Sequence, residues 1–586
     1  MNKGDIAEIL NEIAILLELK GENIFKTRAY TSAARTLDLL DEDLGVIIAE
    51  NRLGSIKGIG TALQEKIAEL YTTGKLAYYD ELKKSLPPVL LELLNIPGVG
   101  PKKAKALHDQ LKIQSLADLE TACKDGRVAA LTGFGEKTAT RILEGITQYH
   151  SYQSQHLYAD VILIATELVD TLRTHPDVTR CSIAGSLRRG KEVVKDIDLL
   201  VSSKAPEQVM RDFITLPEIE RVVGQGPTKA SVVLKGGLAC DLRVVSDKEF
   251  ATALHHFTGS KEHNVAMRQR AIAEGKKLSE WGLFLTGDKT ETPGGEKEST
   301  KPQGELIPCR TEEELFEKLG LQYIPPELRE NMGEIEAAAE CKIPRLLEWS
   351  DLRGTFHNHT TWSDGKNTLQ EMAEAAQTLG LEYLGIADHS KSSFQANGLS
   401  EARLLAQIEE IAKLNHTLED IHLFSGCEVD ILKDGQLDFA DEILQQLDYV
   451  VASVHNAMQQ PEDEMTRRVI RAMENPYVTM LGHPTGRLLL SRAPSAINLG
   501  KIIDCAAETG TWIELNASPY RLDLDWRWWH RARDKGVKCS INPDAHRVGQ
   551  LGYLRLGATA ARKGWLRKED VVNTLKLDKI RQLLDI

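Results

Sequence analysis

In the second half of the chain, short apolar runs repeatedly end on a histidine or a carboxylate, and that regularity leaves few folds open. Arg353-Gly-Thr-Phe356 leads to His357 and His359, with Asp364 close behind. Leu384–Ala387 ends at Asp388-His389, Leu423–Cys427 at Glu428, and Tyr449–Val454 at His455. Val478–Gly482 ends at His483, and Val537–Pro543 at Asp544-Ala545-His546. Alternation of such runs with helical segments from Leu352 onward is the pattern of repeated βα units, and a βα barrel gathers the ends of its strands at one mouth. Six histidines and several carboxylates converging there would be costly unless metal neutralised them. Mixed imidazole and carboxylate ligands suit Zn²⁺, Mn²⁺ or Fe²⁺ better than Mg²⁺, and the sequence does not choose among the three. Lys391 and Arg487 lie near ligands in sequence and are candidates to hold phosphate, although each also reads as an ordinary surface charge.

A second constellation lies upstream. Ile183-Ala184 runs into Gly185-Ser186-Leu187-Arg188-Arg189-Gly190, and Asp196-Ile-Asp198-Leu-Leu-Val201 follows as a strand with both aspartates on one face. Two carboxylates on one face repel unless a hard divalent cation lies between them. The Gly-Ser turn offers backbone N–H groups and a hydroxyl to phosphate oxygens. Ser231–Leu234, the turn Gly236-Gly237 and Leu238–Val245 read as a hairpin that brings Asp241 alongside. Three aspartates holding two Mg²⁺ or Mn²⁺ ions imply nucleotidyl transfer by in-line displacement.

The first 150 or so residues are helical in period and carry three Gly-x-Gly turns: Gly58-Ile-Gly60, Gly98-Val-Gly100 and Gly133-Phe-Gly135. Each can aim amide groups at a DNA phosphate without reading bases, and Lys102, Lys103 and Lys105 follow the middle turn at once. Lys66, near Lys57 and Lys75, is either a Schiff-base lysine for a 5′-deoxyribose phosphate or a solvated surface lysine. The net charge of −14 argues against a uniform coat on nucleic acid, so DNA contacts must be local. Eight scattered cysteines without a Cys-x-x-Cys pair fit reduced thiols. Ile6–Leu19 is interrupted by Glu8, Glu12 and Glu18 and reads as a helix rather than a signal peptide, and no apolar run is long enough to span a bilayer. Thr286–Gly304 reads as a polar loop or disordered insertion.

Residues 1 to about 325 resemble a family X DNA polymerase. The resemblance implies a helical 8 kDa lyase-like DNA-binding domain (1–85), helix-hairpin-helix fingers (86–150), a nucleotidyltransferase palm (151–248) and a thumb that selects the nucleotide (249–325). It implies that Ser186 and Arg189 bind the β- and γ-phosphates, that Asp196 and Asp198 ligate both metals, and that Asp241 stands beside the primer 3′-hydroxyl. Phe257 and Gly259 would line the sugar pocket, Asn264 would meet the minor-groove edge and Arg268 the template, while Lys66 matches the lyase lysine. Three positions depart from the family: His256 replaces a tyrosine of the well-known eukaryotic members, Ala239 an arginine, and Ala62 a supporting lysine.

After a connector (326–350), residues 351–586 resemble the polymerase-and-histidinol-phosphatase (PHP) domain, which implies a distorted (β/α) barrel with three divalent metals. Its nine ligand positions are filled by His357, His359, Asp364, His389, Glu428, His455, His483, Asp544 and His546. The fold class is therefore multidomain, α+β and α/β. The function expected is short-gap DNA polymerisation in repair, with a metal-dependent 3′-5′ exonuclease or 3′-end-processing phosphoesterase at the C-terminus. Expected partners are gapped or nicked DNA and dNTPs, with no membrane, and the expected state is a monomer in bacterial cytoplasm, on the nucleoid when bound to DNA. The alternative is a DNA-binding metallophosphoesterase or nuclease with a weak or vestigial polymerase half. A small-molecule nucleotidyltransferase would have no use for three duplex-gripping turns.

Overall fold

A computed structural model describes residues 1, 3–38, 40, 44–56, 58–96, 98–286 and 304–586. The polar stretch expected as a loop or insertion lies, at 287–303, outside the described residues. The chain divides into two compact units, Met1–Ser154 and Gln155–Ile586.

The first unit is helical. In the helix Lys3–Lys20, Ile6, Leu10, Ile13 and Leu17 recur at three- and four-residue spacing and are fully buried. Each such side chain contributes roughly 1.5–3 kcal/mol through burial. The expected turns appear where helices begin. Gly60 (φ −76°, ψ 165°) caps the helix Thr61–Thr73, and Gly100 (φ −84°, ψ 175°) caps Pro101–Leu111. The third turn differs in geometry, since Gly135 (φ +70°) is itself the first residue of the helix Gly135–Gln153.

The second unit contains a five-stranded sheet built from β1 (Val178–Ile183), β2 (Asp196–Ser203), β3 (Ile219–Gln225), β4 (Lys229–Leu234) and β5 (Ala239–Val245), in the order β1-β2-β5-β4-β3. Strand alternation explains β2. Ile197, Leu199 and Val201 pack into the main sheet core, whereas Asp196, Asp198 and Leu200 share the opposite face. Leu200 is covered there by Phe250, Ala253 and Leu254 of the helix Phe250–Thr258. That helix, the turn Thr258-Gly259-Ser260, the helix Lys261–Ala273, a small antiparallel sheet and the helix Glu312–Lys318 form the next layer. The stretch expected as a connector carries structure of its own. A 3₁₀ turn spans Pro326–Leu328 and a helix Glu334–Ala339, and Leu328, Ile335 and Ala338 share a core with Phe316, Leu319 and Trp565.

Seven parallel strands follow in sequential order: β6 (Gly354–Thr355), β7 (Tyr383–Ile386), β8 (His422–Asp430), β9 (Tyr449–Ser453), β10 (Met480–Leu481), β11 (Trp512–Asn516) and β12 (Cys539–Asn542). The ring is nearly closed, because the Asn542 side chain accepts from Phe356 N (2.9 Å) and Thr355 Oγ1 (3.1 Å). An aromatic plug of Phe356, Tyr383, Phe424, Tyr449 and Trp512 fills the interior below the mouth. Gly385 and Gly426 make room for it. A Cβ on Gly426 would stand 2.3 Å from the Tyr449 ring, and one on Gly385 2.5 Å from the Tyr449 hydroxyl. Gly426→Ala should therefore destabilise the barrel by about 1–3 kcal/mol through overpacking. Thermal unfolding monitored by tryptophan fluorescence would check this, and an unchanged midpoint would contradict the plug.

Candidate active sites

The aspartate site is assembled by strand register. Asp198 on β2 lies directly opposite Asp241 on the parallel strand β5, and Asp196 lies opposite Ala239. The hairpin joining β4 and β5 through Gly236-Gly237 delivers Asp241 as expected. Gly185 (φ +62°) lets the backbone press against the site, for a Cβ there would stand 2.0 Å from Asp198 Oδ2. Burial, then Asp196 and Asp241, push the Asp198 carboxyl up to about 6. Asp196 is raised by burial and by Asp241. Lys229 Nζ sits 2.6 Å from Asp241 Oδ2. Raised, mutually repelling carboxylates with a single lysine contact fit a hard divalent cation.

Ser186 lies half-buried in the one-turn helix Gly185–Arg188. Arg188 pairs with Glu312 (2.6 Å) and donates to Thr258 Oγ1 (2.6 Å). Arg189 pairs with Glu330 (3.0 Å) and donates to the carbonyl of Thr258. The Phe257 ring is stacked by the Arg243 guanidinium at 4.3 Å. Asn264 donates to His256 O (2.7 Å), and Ser260 caps its helix by accepting from His263 N (3.2 Å). Arg268 is exposed on the same helix. Thus Gly259, Phe257 and Asn264 surround one turn, and Arg189 fastens that turn to the palm.

At the barrel mouth the nine sequence-selected residues converge. Ligand atoms within 4.8 Å of one another form three groups: His359, Asp364, His389 and His546; His357, His359 and Asp544; and His389, Glu428 and His455. His359 and His389 each belong to two groups, and His483 Nε2 lies 2.8 Å from Glu428 Oε1. The fit to metal shows in the orphaned nitrogens. His357 Nε2, both nitrogens of His359 and His483 Nδ1 are buried without a hydrogen bond. His359 Nε2 lies 3.2 Å from Asp544 Oδ1 and 3.7 Å from Glu428 Oε2, a spacing that places nitrogen and oxygen donors around common points. Burial would lower His455, but Glu428 and Asp430 hold it up at about 10. His546 is likewise held at about 9 against burial by Asp364 and Asp544. Burial and the neighbouring His546 and His389 press His359 down to about 3.

Several functional groups were not selected from sequence. Glu514 Oε1 accepts from His357 Nδ1 (2.7 Å), and Asp430 Oδ1 from His455 Nδ1 (3.0 Å), orienting the rings. Asp388, beside the ligand His389, is bound instead by Thr360 N (2.8 Å), Thr360 Oγ1 (2.6 Å) and Gln407 (2.6 Å) and anchors the loop. Arg521 Nε stands 3.6 Å from Asp544 Oδ2, with its Nη1 buried and unbonded. The signal for Glu514 was a glutamate inside the apolar run Trp512–Asn516; Arg521 follows that same run. The two residues considered for phosphate are engaged elsewhere. Arg487 pairs with Asp525 (2.6 Å), and Lys391 with Glu401.

In the first unit a Cβ at Gly60, Gly100, Gly133 or Gly135 would meet open space, and Lys102 is exposed. Gly58 (φ +95°) and Gly98 (φ +88°) complete the first two turns, and Lys103 Nζ donates to Gly98 O (3.0 Å). Lys66 Nζ donates to Ala62 O (3.2 Å) and lies 4.8 Å over the Tyr78 ring.

Two pH dependences follow. Proton and metal compete for Asp198, so Mg²⁺ affinity of the aspartate site should fall as pH drops below about 6, measurable by titration calorimetry at pH 5.5 and 7.5. In the barrel, metal must displace the protons held by His455 and His546. Its loading should weaken by about tenfold for each displaced proton per pH unit, a slope that chelator competition at pH 6 and 8 would reveal or refute.

Comparison with known proteins agrees with this layout. Residues 1–76 match the family described as Helix-hairpin-helix domain, and 90–147 the SAM-like Helix-hairpin-helix tandem. Residues 253–330 match the DNA polymerase beta thumb, and 355–518 the PHP domain. The chain is 37% identical over 586 residues, 100% of its length and 99% of the relative's, to the DNA polymerase/3'-5' exonuclease PolX of Bacillus subtilis. It is 28% identical over 297 residues to DNA polymerase lambda of Rattus norvegicus, covering 47% of this chain and 48% of that one. A probable phosphatase of Thermoanaerobacter is 28% identical over 239 residues, 39% of this chain and 92% of the phosphatase. No helix among the described residues is long and apolar enough to cross a membrane. With identity sustained from end to end, the chain belongs to the bacterial PolX family of family X DNA polymerases that carry a PHP domain.

Proposed function

We propose that the chain is a DNA-directed DNA polymerase that fills short gaps during repair and trims 3′ ends with a separate 3′-5′ exonuclease site. The observation that carries the polymerase half is the register of Asp198 with Asp241 beside Gly185, in a chain aligned throughout with the Bacillus polymerase/exonuclease. Divalent ions, Mg²⁺ or Mn²⁺, held by Asp196, Asp198 and Asp241 would supply the Lewis acidity for attack of a primer 3′-hydroxyl on an incoming dNTP. Ser186, Arg189 and the amides of the Gly185 turn hold the triphosphate. Phe257, Gly259 and Asn264 position the sugar and base, and Arg268 meets the template. The turns at Gly58, Gly60, Gly98, Gly100, Gly133 and Gly135, with Lys102, grip the DNA backbone on either side of a gap or nick.

In the barrel the three interlocked ligand groups would hold up to three divalent ions, Mn²⁺, Zn²⁺ or Fe²⁺, which supply charge neutralisation and Lewis acidity for phosphodiester hydrolysis. Glu514 and Asp430 fix the rings of His357 and His455, and Arg521 offers positive charge to the phosphate. The register of Asp198 with Asp241 and the close approach of Gly185 to Asp198 support an active polymerase half over the vestigial reading.

The test is a one-nucleotide-gapped duplex with a labelled primer, supplied with dNTPs and Mg²⁺ or Mn²⁺. Asp196→Ala with Asp198→Ala should abolish extension by about a thousandfold or more and leave shortening intact, and His357→Ala with His359→Ala should do the reverse. Loss of both activities in either variant would overturn the assignment of two independent sites.

A further inference from the structure

The polymerase and barrel halves of the second unit meet through the helix Leu554–Lys563, whose last residue is a lysine with a fully buried side chain. Lys563 Nζ makes three contacts, one for each ammonium hydrogen. It lies 2.7 Å from Glu330 Oε1, 3.0 Å from the carbonyl of Arg189 and 3.2 Å from that of Glu327. The same Glu330 oxygen accepts from Arg189 Nε (3.0 Å), and Arg189 in turn donates to Thr258 O beside Gly259. A barrel residue thus holds both the backbone and, through Glu330, the side chain of the arginine at the nucleotide turn.

The surroundings reinforce the contact. A Cβ on Gly190 (φ +64°) would stand 2.9 Å from the Thr559 methyl, so the helix packs directly on the phosphate turn. Arg562 pairs with Glu327 (2.7 Å) on the same thumb segment. Trp526 Nε1 donates to Glu192 (3.1 Å) while its ring lies 4.5 Å from Lys563 Nζ. Burial lowers Lys563 to about 8 against the pull of Glu330, so the pair is held in a desolvated pocket where losing one partner is costly.

We infer that Lys563 is a positioning residue for the polymerase reaction, through which the PHP barrel fixes Arg189 in the geometry that receives the dNTP triphosphate. The inference rests on the reading of Arg189 as a phosphate contact. Lys563 does not touch substrate; it acts by leaving Arg189 few alternative arrangements, so its loss should appear in nucleotide affinity before maximal rate.

The experiment uses the full chain. Single-turnover filling of a one-nucleotide gap gives the dNTP Kd and the maximal rate, and the 3′-5′ exonuclease rate is read on the same preparations. Lys563→Met keeps length and apolarity but deletes the donors. It should raise the dNTP Kd by about 5- to 20-fold, about the size of one lost hydrogen bond, with exonuclease within about twofold. Lys563→Arg, which retains charge and donors, should recover part of that loss. Arg189→Ala should raise the Kd too, and adding Lys563→Met to it should cost little more, since both act on one contact. An unchanged Kd in Lys563→Met alongside a raised Kd in Arg189→Ala would overturn the coupling and spare the phosphate reading. An unchanged Kd in Arg189→Ala would remove that reading and the coupling with it. If Lys563→Met fails to fold, Glu330→Gln, which weakens the shared acceptor, carries the same expectation and the same refutation.

Discussion

Crowded charge in partly or fully buried positions is the constraint around which this structure is built. Burial and neighbouring carboxylates raise Asp196 and Asp198 at the end of a sheet, and nine ligand-type side chains meet at the mouth of a barrel. Removing such groups from water without counter-charge is strongly unfavourable. The scaffold meets this in two ways. Lys229 sets one counter-charge beside Asp241, and outer partners such as Glu514 and Asp430 fix the imidazoles in orientations that leave lone pairs facing inward. What remains uncompensated, the orphaned nitrogens of His357, His359 and His483, is a demand that a divalent ion would satisfy.

The aromatic plug beneath the barrel mouth follows from the same demand. A mouth filled with polar side chains cannot supply the hydrophobic contacts that close a small ring of strands. That work falls to Phe356, Tyr383, Phe424, Tyr449 and Trp512 below it, with Gly385 and Gly426 spared side chains to admit Tyr449. The Tyr449 hydroxyl lies between the carbonyls of Phe356, immediately ahead of His357, and Ile386, two residues ahead of the Asp388-His389 pair. Packing at the floor and ligand placement at the rim are thereby joined through two short stretches of backbone.

Much of this was legible in the sequence because period and chemistry coincide. An alternating strand puts Asp196 and Asp198 on one face by geometry alone, and apolar runs ending on histidine locate the rim of a parallel barrel. Glu514 was hidden because it lies within its apolar run instead of at the end, where a buried glutamate reads as a break in pattern. Arg521 escaped for the opposite reason: nothing in Pro519-Tyr520-Arg521 separates a surface arginine from one folded against Asp544. Arg487 and Lys391 drew notice by sequence proximity, yet a few residues of loop sufficed to turn each toward a different carboxylate. The similar Gly-x-Gly spellings also concealed a difference. Gly60 and Gly100 are extended caps, whereas Gly135 adopts a positive φ, a distinction set by the helices around it.

Contacts distant in sequence are the part that no local pattern encodes, and they decide how the halves of the second unit work as one. Arg189 and Lys563 are 374 positions apart, and neither stretch contains a signal that names the other. Yet under the proposed function, a turn that receives a flexible triphosphate would gain from being held on two sides, since each degree of freedom removed beforehand is one fewer to lose on binding. The sheet carrying Gly185–Gly190 supplies one side. The buried Lys563–Glu330–Arg189 chain supplies the other, from an element whose own chemistry is hydrolytic. Fusion of a nuclease barrel to a polymerase then has a physical consequence beyond bringing two activities to the same DNA: the barrel is part of the wall against which the nucleotide turn is set.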